Sequence, residues 1–282
     1  MLGFFRKKEN ASGLQLANLI GLQDSVMKIA SKEVTFCTEN DRIIDALATM
    51  LGGIRRLPVV NDAGEITGIV SSSDVLDFIG GGEKSKLFTN TGLSAVVKKI
   101  MSPNVQCLSS TDSIPVALEI FRMNGKPMHP VAENRKLSAV LSESDITHLV
   151  SKRCGVPVSA IMTRKPVYAQ EDHSVFDVAK MLCRGPYRRL PVVNNGVVTG
   201  IVTPHDILAH LNRNGVLNML SFEHGPVKAV MNKRIAVISP ENDVSDAVAL
   251  MKIRKASGLP VVDEDADLVG MVTKRDIINA MV

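Results

Sequence analysis

Four segments of this 282-residue chain end alike: GIVSSSD, AVLSESD, GIVTPHD and GMVTKRD, closing on Asp74, Asp145, Asp206 and Asp276. A Pro that opens a short apolar run stands 15 or 16 positions before each Asp: Pro58, Pro130, Pro191 and Pro260. About thirty positions before each Pro, a Met closes another apolar stretch: Met27, Met101, Met162 and Met231. Landmarks in one fixed order, four times over, set the architecture before local detail does, because each copy must be one structural unit. Units of about sixty residues are marginal folders alone, so pairing them buries apolar surface that one lacks.

In the first copy, EVTFC (33–37) is rich in β-branched and aromatic residues and predicts a strand. Ile43, Ile44, Leu47, Met50 and Leu51 recur at helical spacing, and Gly52 and Gly53 close that helix. LPVV predicts a buried strand, NDAG a hairpin turn, EITGIVS the returning strand and SSDVLDFI a last helix. The third copy repeats the order with VYA as its strand, Val175, Val178, Ala179 and Leu182 as a helix face, then LPVV, NNG, VVTGIVT and a helix from Pro204 to Leu211. Stretches ending at the Met landmarks (VVKKIM, VSAIM, VKAVM) predict lead-in helical turns. The unit is β-α-β-β-α and the fold class α/β (α+β). A tail covers 1–22, and the repeats cover 23–80, 94–151, 156–213 and 226–282, with linkers expected at GGGEKSKLFTNTG and NRNGVLNMLSFEHG. Sequence neighbours usually pack together, which pairs copy one with two and three with four.

Composition closes several routes. The net charge of +4 is modest and both signs are scattered, which disfavours a nucleic-acid surface built on clustered basic residues. Trp is absent and aromatics are 4%, which also weakens a base-stacking platform, while the basic pI of 8.9 leaves nucleic-acid binding open as a weak alternative. Cys37, Cys107, Cys154 and Cys183 form no CxxC pair, so neither a disulfide framework nor a zinc site is expected, and a reduced cytoplasmic chain is. No apolar run approaches a membrane span.

The G-x-x-(S/T)-x-x-D corner is the candidate site. Gly68, Gly200 and Gly270 let a ligand or another backbone approach closely. Ser71, Ser142, Thr203 and Thr273 stand at helix N-caps, where free N–H groups suit a phosphate. Asp74, Asp145, Asp206 and Asp276 follow one turn in, where a carboxylate can accept from both hydroxyls of a ribose. The structural alternative is a capping box, in which the acid turns back onto the cap's own N–H. A second element favours the ligand reading: Arg55 and Arg56 precede LPVV in copy one, and Arg188 and Arg189 in copy three. Guanidinium groups match phosphate oxygens, and neighbouring strand residues face opposite ways, so one Arg can serve its own cleft and the other its partner's. Copy four lacks the pair but carries Lys255, Lys274 and Arg275; copy three adds His205. Copy two departs most, with Ala139 for the Gly, PMHP for the Arg-bearing strand, and Glu143 beside the presumed phosphate position.

The order Met, LPVV, GIVTxxD resembles the cystathionine-β-synthase-type (CBS) repeat over residues 23–282. Four tandem copies resemble the gamma subunit of AMP-activated protein kinase and stand-alone microbial four-repeat proteins. The resemblance implies repeats paired into two Bateman modules with ligand clefts, often assembled as a flat disc. It places a ribose-binding acid on the four corner Asp residues and phosphate-side hydroxyls on Ser71, Ser142, Thr203 and Thr273. It places a basic residue on Arg55 and Arg188, and a base-side hydroxyl on Thr163 and Ser102, with Asn232 at that position in copy four.

These residues predict a non-catalytic regulatory protein that binds AMP, ADP or ATP between paired repeats, with no metal and no other cofactor. The partners expected are an adenine nucleotide and a regulated protein the sequence does not name; a homodimer is left open. An S-adenosylmethionine sensor shares the adenosine half but does not require the Arg pairs, and a scaffold without ligand would use the corners only as caps. An enzyme is disfavoured because only about 22 residues lie outside the repeat region 23–282, too few for a catalytic domain.

Overall fold

The computed structural model describes residues 24–81, 92–150, 152–212 and 224–281. The expected tail over 1–22 and most of the two expected linkers lie outside the described residues. Each copy starts with a short helical turn at its Met landmark: Val26–Lys28, Val97–Lys99, α5 (Val158–Ile161) and Val227–Ala229. The elements of copy one are β1 (Cys37–Thr38), α1 (Ile43–Leu51), β2 (Arg56–Val60), β3 (Ile66–Ser71) and α2 (Ser72–Leu76). In copy two they are β5 (Leu108–Ser109), α3 (Ile114–Asn124), β6 (Met128–Glu133), β7 (Lys136–Ser142) and α4 (Glu143–Thr147), after β4 (Ser102–Pro103). Copy three has β8 (Thr163–Arg164), β9 (Ala169–Gln170), α6 (Val175–Arg184), β10 (Leu190–Asn194), β11 (Val197–Val202) and α7 (Pro204–Leu211). Copy four has α8 (Val244–Ile253), β12 (Gly258–Val262), β13 (Leu268–Thr273) and α9 (Lys274–Ala280).

The opening strands are shorter than their composition suggests. Of EVTFC only Cys37 is paired, together with Thr38, and VYA contributes only Ala169. The chain cannot stay extended, because Asp41 accepts from Thr38 N and Thr38 Oγ1 at 2.8 Å each and turns it into α1. SSDVLDFI is also broken: α2 ends at Leu76, and a wider turn over Asp77–Gly81 contains Gly80 at φ 132°.

Sheet edges define the pairing of copies. β1 runs parallel to β2, β2 antiparallel to β3, and β3 antiparallel to β4, which belongs to copy two. Copy four's β13 is likewise edged by β8 of copy three, and Ile201 of copy three bridges Asn232 of copy four. In copy two, Val140 bridges Ser31 of copy one. Each sheet is thus edged by the segment after its partner's Met landmark, which covers an otherwise open edge. The repeats pair one with two and three with four as Bateman modules.

The modules are not separate cores. One apolar cluster joins Leu47, Met50, Leu76 and Phe78 of copy one to Val178, Leu182, Ile207 and Leu211 of copy three. Another joins Phe121, Leu141 and Ile146 of copy two to Ile278 of copy four. Strands therefore hold copies together within a module, and helices hold the two modules to one another.

The corner glycines serve this edge pairing. A Cβ on Gly68 would stand 2.8 Å from Met101 Sδ and 2.9 Å from the Ser102 carbonyl oxygen. A Cβ on Gly270 would stand 2.5 Å from Met162 Sδ, and one on Gly200 would meet Met231 Sδ in the same way. What approaches these glycines is the partner copy's Met landmark and the strand behind it.

Candidate functional site

All four corners are capping boxes. Asp74, Asp145, Asp206 and Asp276 accept the cap residue's N–H at 2.8–2.9 Å and its hydroxyl at 2.6–2.7 Å, on Oδ2 in every case. None of these bonds uses Oδ1. The structural alternative for the corner is therefore realised in each copy, and a ligand role depends on open space alongside.

That space exists and is shared. A cavity of about 550 Å³ is lined by corner residues of all four copies, among them the positions just after each cap: Ser72, Glu143, Pro204 and Lys274. Among the described residues, six cationic side chains line it (Arg55, Arg56, Arg188, Arg189, Lys255 and Lys274) against a single carboxylate, Glu143; His205 and the cap residues Ser71, Ser142 and Thr203 also line it. Three clefts adjoin it. One of about 560 Å³ holds Asp74 and Ser102 together with Arg56 and Arg188. One of about 400 Å³ holds Asp276, Thr273 and Thr163 with Arg188, Arg189 and Arg275. One of about 80 Å³ holds Asp206, Thr203 and Asn232 with Arg55, Arg189 and Lys255. Asp145 lines none of these four cavities.

The polar residue after each Met faces the corner Asp of the paired copy, because that segment edges the partner's sheet: Ser102 with Asp74, Thr163 with Asp276, Asn232 with Asp206. The Arg pairs do split: Arg188 and Arg189 line the Asp276 cleft of the paired copy, and one arm of each pair also reaches the other module. Arg56 lines its own Asp74 cleft, whereas Arg55 reaches the Asp206 cleft. Arg189 lines its own copy's Asp206 cleft, whereas Arg188 reaches the Asp74 cleft of the first module.

The copies without Arg pairs accommodate those that have them. Ser257 and Gly258 occupy in copy four the places of Arg188 and Arg189 in copy three. Arg189 Nη2 donates to Ser257 Oγ at 2.5 Å, and a Cβ on Gly258 would collide with Arg189 Nη1. In copy two, Arg188 Nη2 donates to the Gly125 carbonyl and Arg275 Nη1 to the Phe121 carbonyl. Lys274 Nζ donates to Ser144 Oγ at 2.7 Å. Glu143, 6% exposed, has its Oε1 at 3.6 Å from Arg188 Nη1 and 3.8 Å from Arg275 Nη1. Sequence reasoning missed Ser257, Gly125 and Phe121 as partners. The signal for Ser257 was its register with the Arg pair; a carbonyl partner leaves none.

The electrostatics register an excess of positive charge. Burial, followed by the neighbouring Arg188, pushes the Arg56 guanidinium down to about 10. Burial and the neighbouring Arg55 push Arg189 down to about 9, and its Nη1 is sealed from solvent without a hydrogen-bond partner. Burial also lowers Lys274, Arg275 and His205. Asp276 moves the opposite way, because burial outweighs its cap bonds and raises it. An anion entering this cavity would meet donors already partly desolvated.

The CBS-domain family profile matches residues 26–81, 97–152, 158–213 and 227–282, and the chain belongs to that family. Protein MJ1225 of Methanocaldococcus jannaschii is 30% identical over 277 residues, covering 90% of this chain and 98% of its own. A protein from the ribosomal RNA operon of Thermofilum pendens is 28% identical over 86% of each chain. The crystal structure of MJ1225, a proposed archaeal homologue of γ-AMPK, superposes with a TM-score of 0.85, covering 92% of this chain and all of that one at 27% identity. Among the described residues, no helix is long and apolar enough to cross a membrane.

Proposed function

We propose that this is a regulatory, non-catalytic protein that binds adenine nucleotides in the Asp276 and Asp74 clefts and directs their phosphates into the central cavity. The observation that carries the reading is the placement of six cations from both modules around one cavity, with an acid and a hydroxyl at the edge of each adjoining cleft. In the Asp276 cleft, Asp276 Oδ1 takes none of the cap bonds and is the acceptor for the ribose diol. Thr163 and the apolar Val167 and Tyr187 lie on the base side, and Arg188, Arg189 and Arg275 on the phosphate side. Because the cations come from both modules, a bound phosphate favours one module arrangement over others, which is all a sensor requires. The kinship of MJ1225 with γ-AMPK is in keeping with this role.

Calorimetric titration of the full chain with AMP, ADP and ATP tests the proposal, with adenosine and S-adenosylmethionine as comparators. Phosphorylated ligands should bind more tightly than adenosine, and Asp276→Asn should weaken all of them while the fold persists. Absence of binding up to millimolar concentration would reject the reading. Preference for S-adenosylmethionine over every phosphorylated ligand would move it to a sulfonium sensor.

A further inference from the structure

Among the described residues, Glu143 is the one carboxylate beside six cations around the central cavity, and it also lines the Asp276 cleft. It belongs to copy two, yet the guanidinium groups beside it come from copies three and four, Arg188 and Arg275. Both stand beyond hydrogen-bond distance, and Glu143 Oε1 is buried with no hydrogen-bond partner. The two arginines do not depend on it for position, because each already donates to a main-chain carbonyl of copy two. A carboxylate held in this way supplies charge and little else. At the equivalent position the other copies carry Ser72, Pro204 and Lys274, none of them acidic.

We infer that Glu143 is a built-in counter-anion that sets the charge of the ligand accepted here: it occupies the place of one anionic group and makes each further negative charge harder to bind. The inference deepens the proposed function by naming the residue that discriminates among phosphorylation states. Its physical basis is local. A ligand phosphate near Arg188 and Arg275 shares those cations with a fixed negative charge, and the Coulomb cost rises with each charge the ligand brings. A neutral adenosine would not register that cost, whereas a triphosphate would register it most.

The experiment compares wild type, Glu143→Gln and Glu143→Asp by calorimetry at low salt, in buffer free of phosphate and sulfate. The probes are inorganic pyrophosphate, adenosine, AMP and ATP. Glu143→Gln should tighten pyrophosphate by roughly ten-fold, ATP by at least as much, AMP by less, and adenosine by less than about two-fold. Glu143→Asp keeps the charge and should bind pyrophosphate as wild type does. Unchanged or weakened pyrophosphate binding in Glu143→Gln overturns the inference, as does equal tightening by the Asp variant, which would mean that space and not charge was limiting. Pyrophosphate binding to neither protein also overturns it. Pyrophosphate carries no nucleoside, so this arm separates failure of the Glu143 assignment from failure of the adenine-nucleotide reading.

Discussion

Arg189→Met should stabilise the ligand-free protein while weakening anion binding. Arg189 is partly buried as a residue, but its Nη1 is sealed and unpartnered, and its guanidinium lies among Arg55, Arg188 and Arg56. A fall from 12.5 to about 9 amounts to about 5 kcal/mol against the ionised form in the folded chain. Its folded value lies below the unfolded one, so this penalty is fully present at pH 7 and is relieved only as pH climbs through about 9 toward 12.5. Two terms reduce the gain from removing the charge. The bond to Ser257 is worth about 1–2 kcal/mol, and solvent reaching the exposed part of the side chain screens some of the repulsion. A net gain of about 1–3 kcal/mol remains, similar to other replacements of strained buried charge by an apolar side chain of like length. Calorimetric melting in phosphate-free buffer at pH 7 should show Arg189→Met unfolding about 2–5 °C above wild type. Pyrophosphate at a hundred times its dissociation constant should then stabilise wild type by about 2.7 kcal/mol and the variant by much less, closing or reversing the gap. A variant that melts at or below wild type without phosphate would refute the claim that this cavity holds uncompensated positive charge.

Two further perturbations probe the frame around the site. Gly270→Ala should cost about 1–3 kcal/mol in thermal melts, because the new methyl meets Met162 Sδ, and Met162→Ala in the same chain should recover part of it; strict additivity of the two effects would show that the contact does not matter. Stability should also fall as pH drops below 6.5, since burial holds His129, His148 and His205 below that ordinary value and the unfolded chain takes up protons first. His129→Leu, which restores the residue found at Leu57 in copy one, should flatten the melting-temperature profile between pH 7.5 and 5; a flat wild-type profile would contradict the histidine assignment.

The parts of this molecule that repeat were legible in its sequence. The β-α-β-β-α order, the hairpins and the four caps follow from short-range rules that act within a copy, and residues such as Leu47, Val59 and Ile207 fall in the core as their spacing requires. The candidate site was half legible. The corner acids and Arg pairs could be named, because their residue types carry the chemistry, but not where each arm of a pair would go. That depends on how the modules dock, and docking depends on apolar helix faces whose partners periodicity does not identify. The glycines show the same limit: close approach could be read at Gly68 and Gly270, but not that the approaching atom is a thioether. Ser257 and Gly258 looked like a missing Arg pair. Their small size is what admits Arg189, a relation visible only once the two copies face one another.

The two kinds of contact between the modules act in opposite senses. Apolar packing of copy one on copy three, and of copy two on copy four, holds the modules together. The same docking brings Arg55 and Arg56 up to Arg188 and Arg189, where burial and then the neighbouring guanidinium charges lower the proton affinity of Arg56 and Arg189. Undocked modules would keep these pairs apart and lose the repulsion along with the shared cavity. On the proposed function, an anion at the centre would stabilise the docked arrangement in preference to any other. Six cations scattered over an outer surface would also bind phosphate, but without coupling occupancy to arrangement. Placing them where hydrophobic burial forces them together would, on the proposed function, couple anion binding to how firmly the modules hold one another, with Glu143 as the fixed counter-charge.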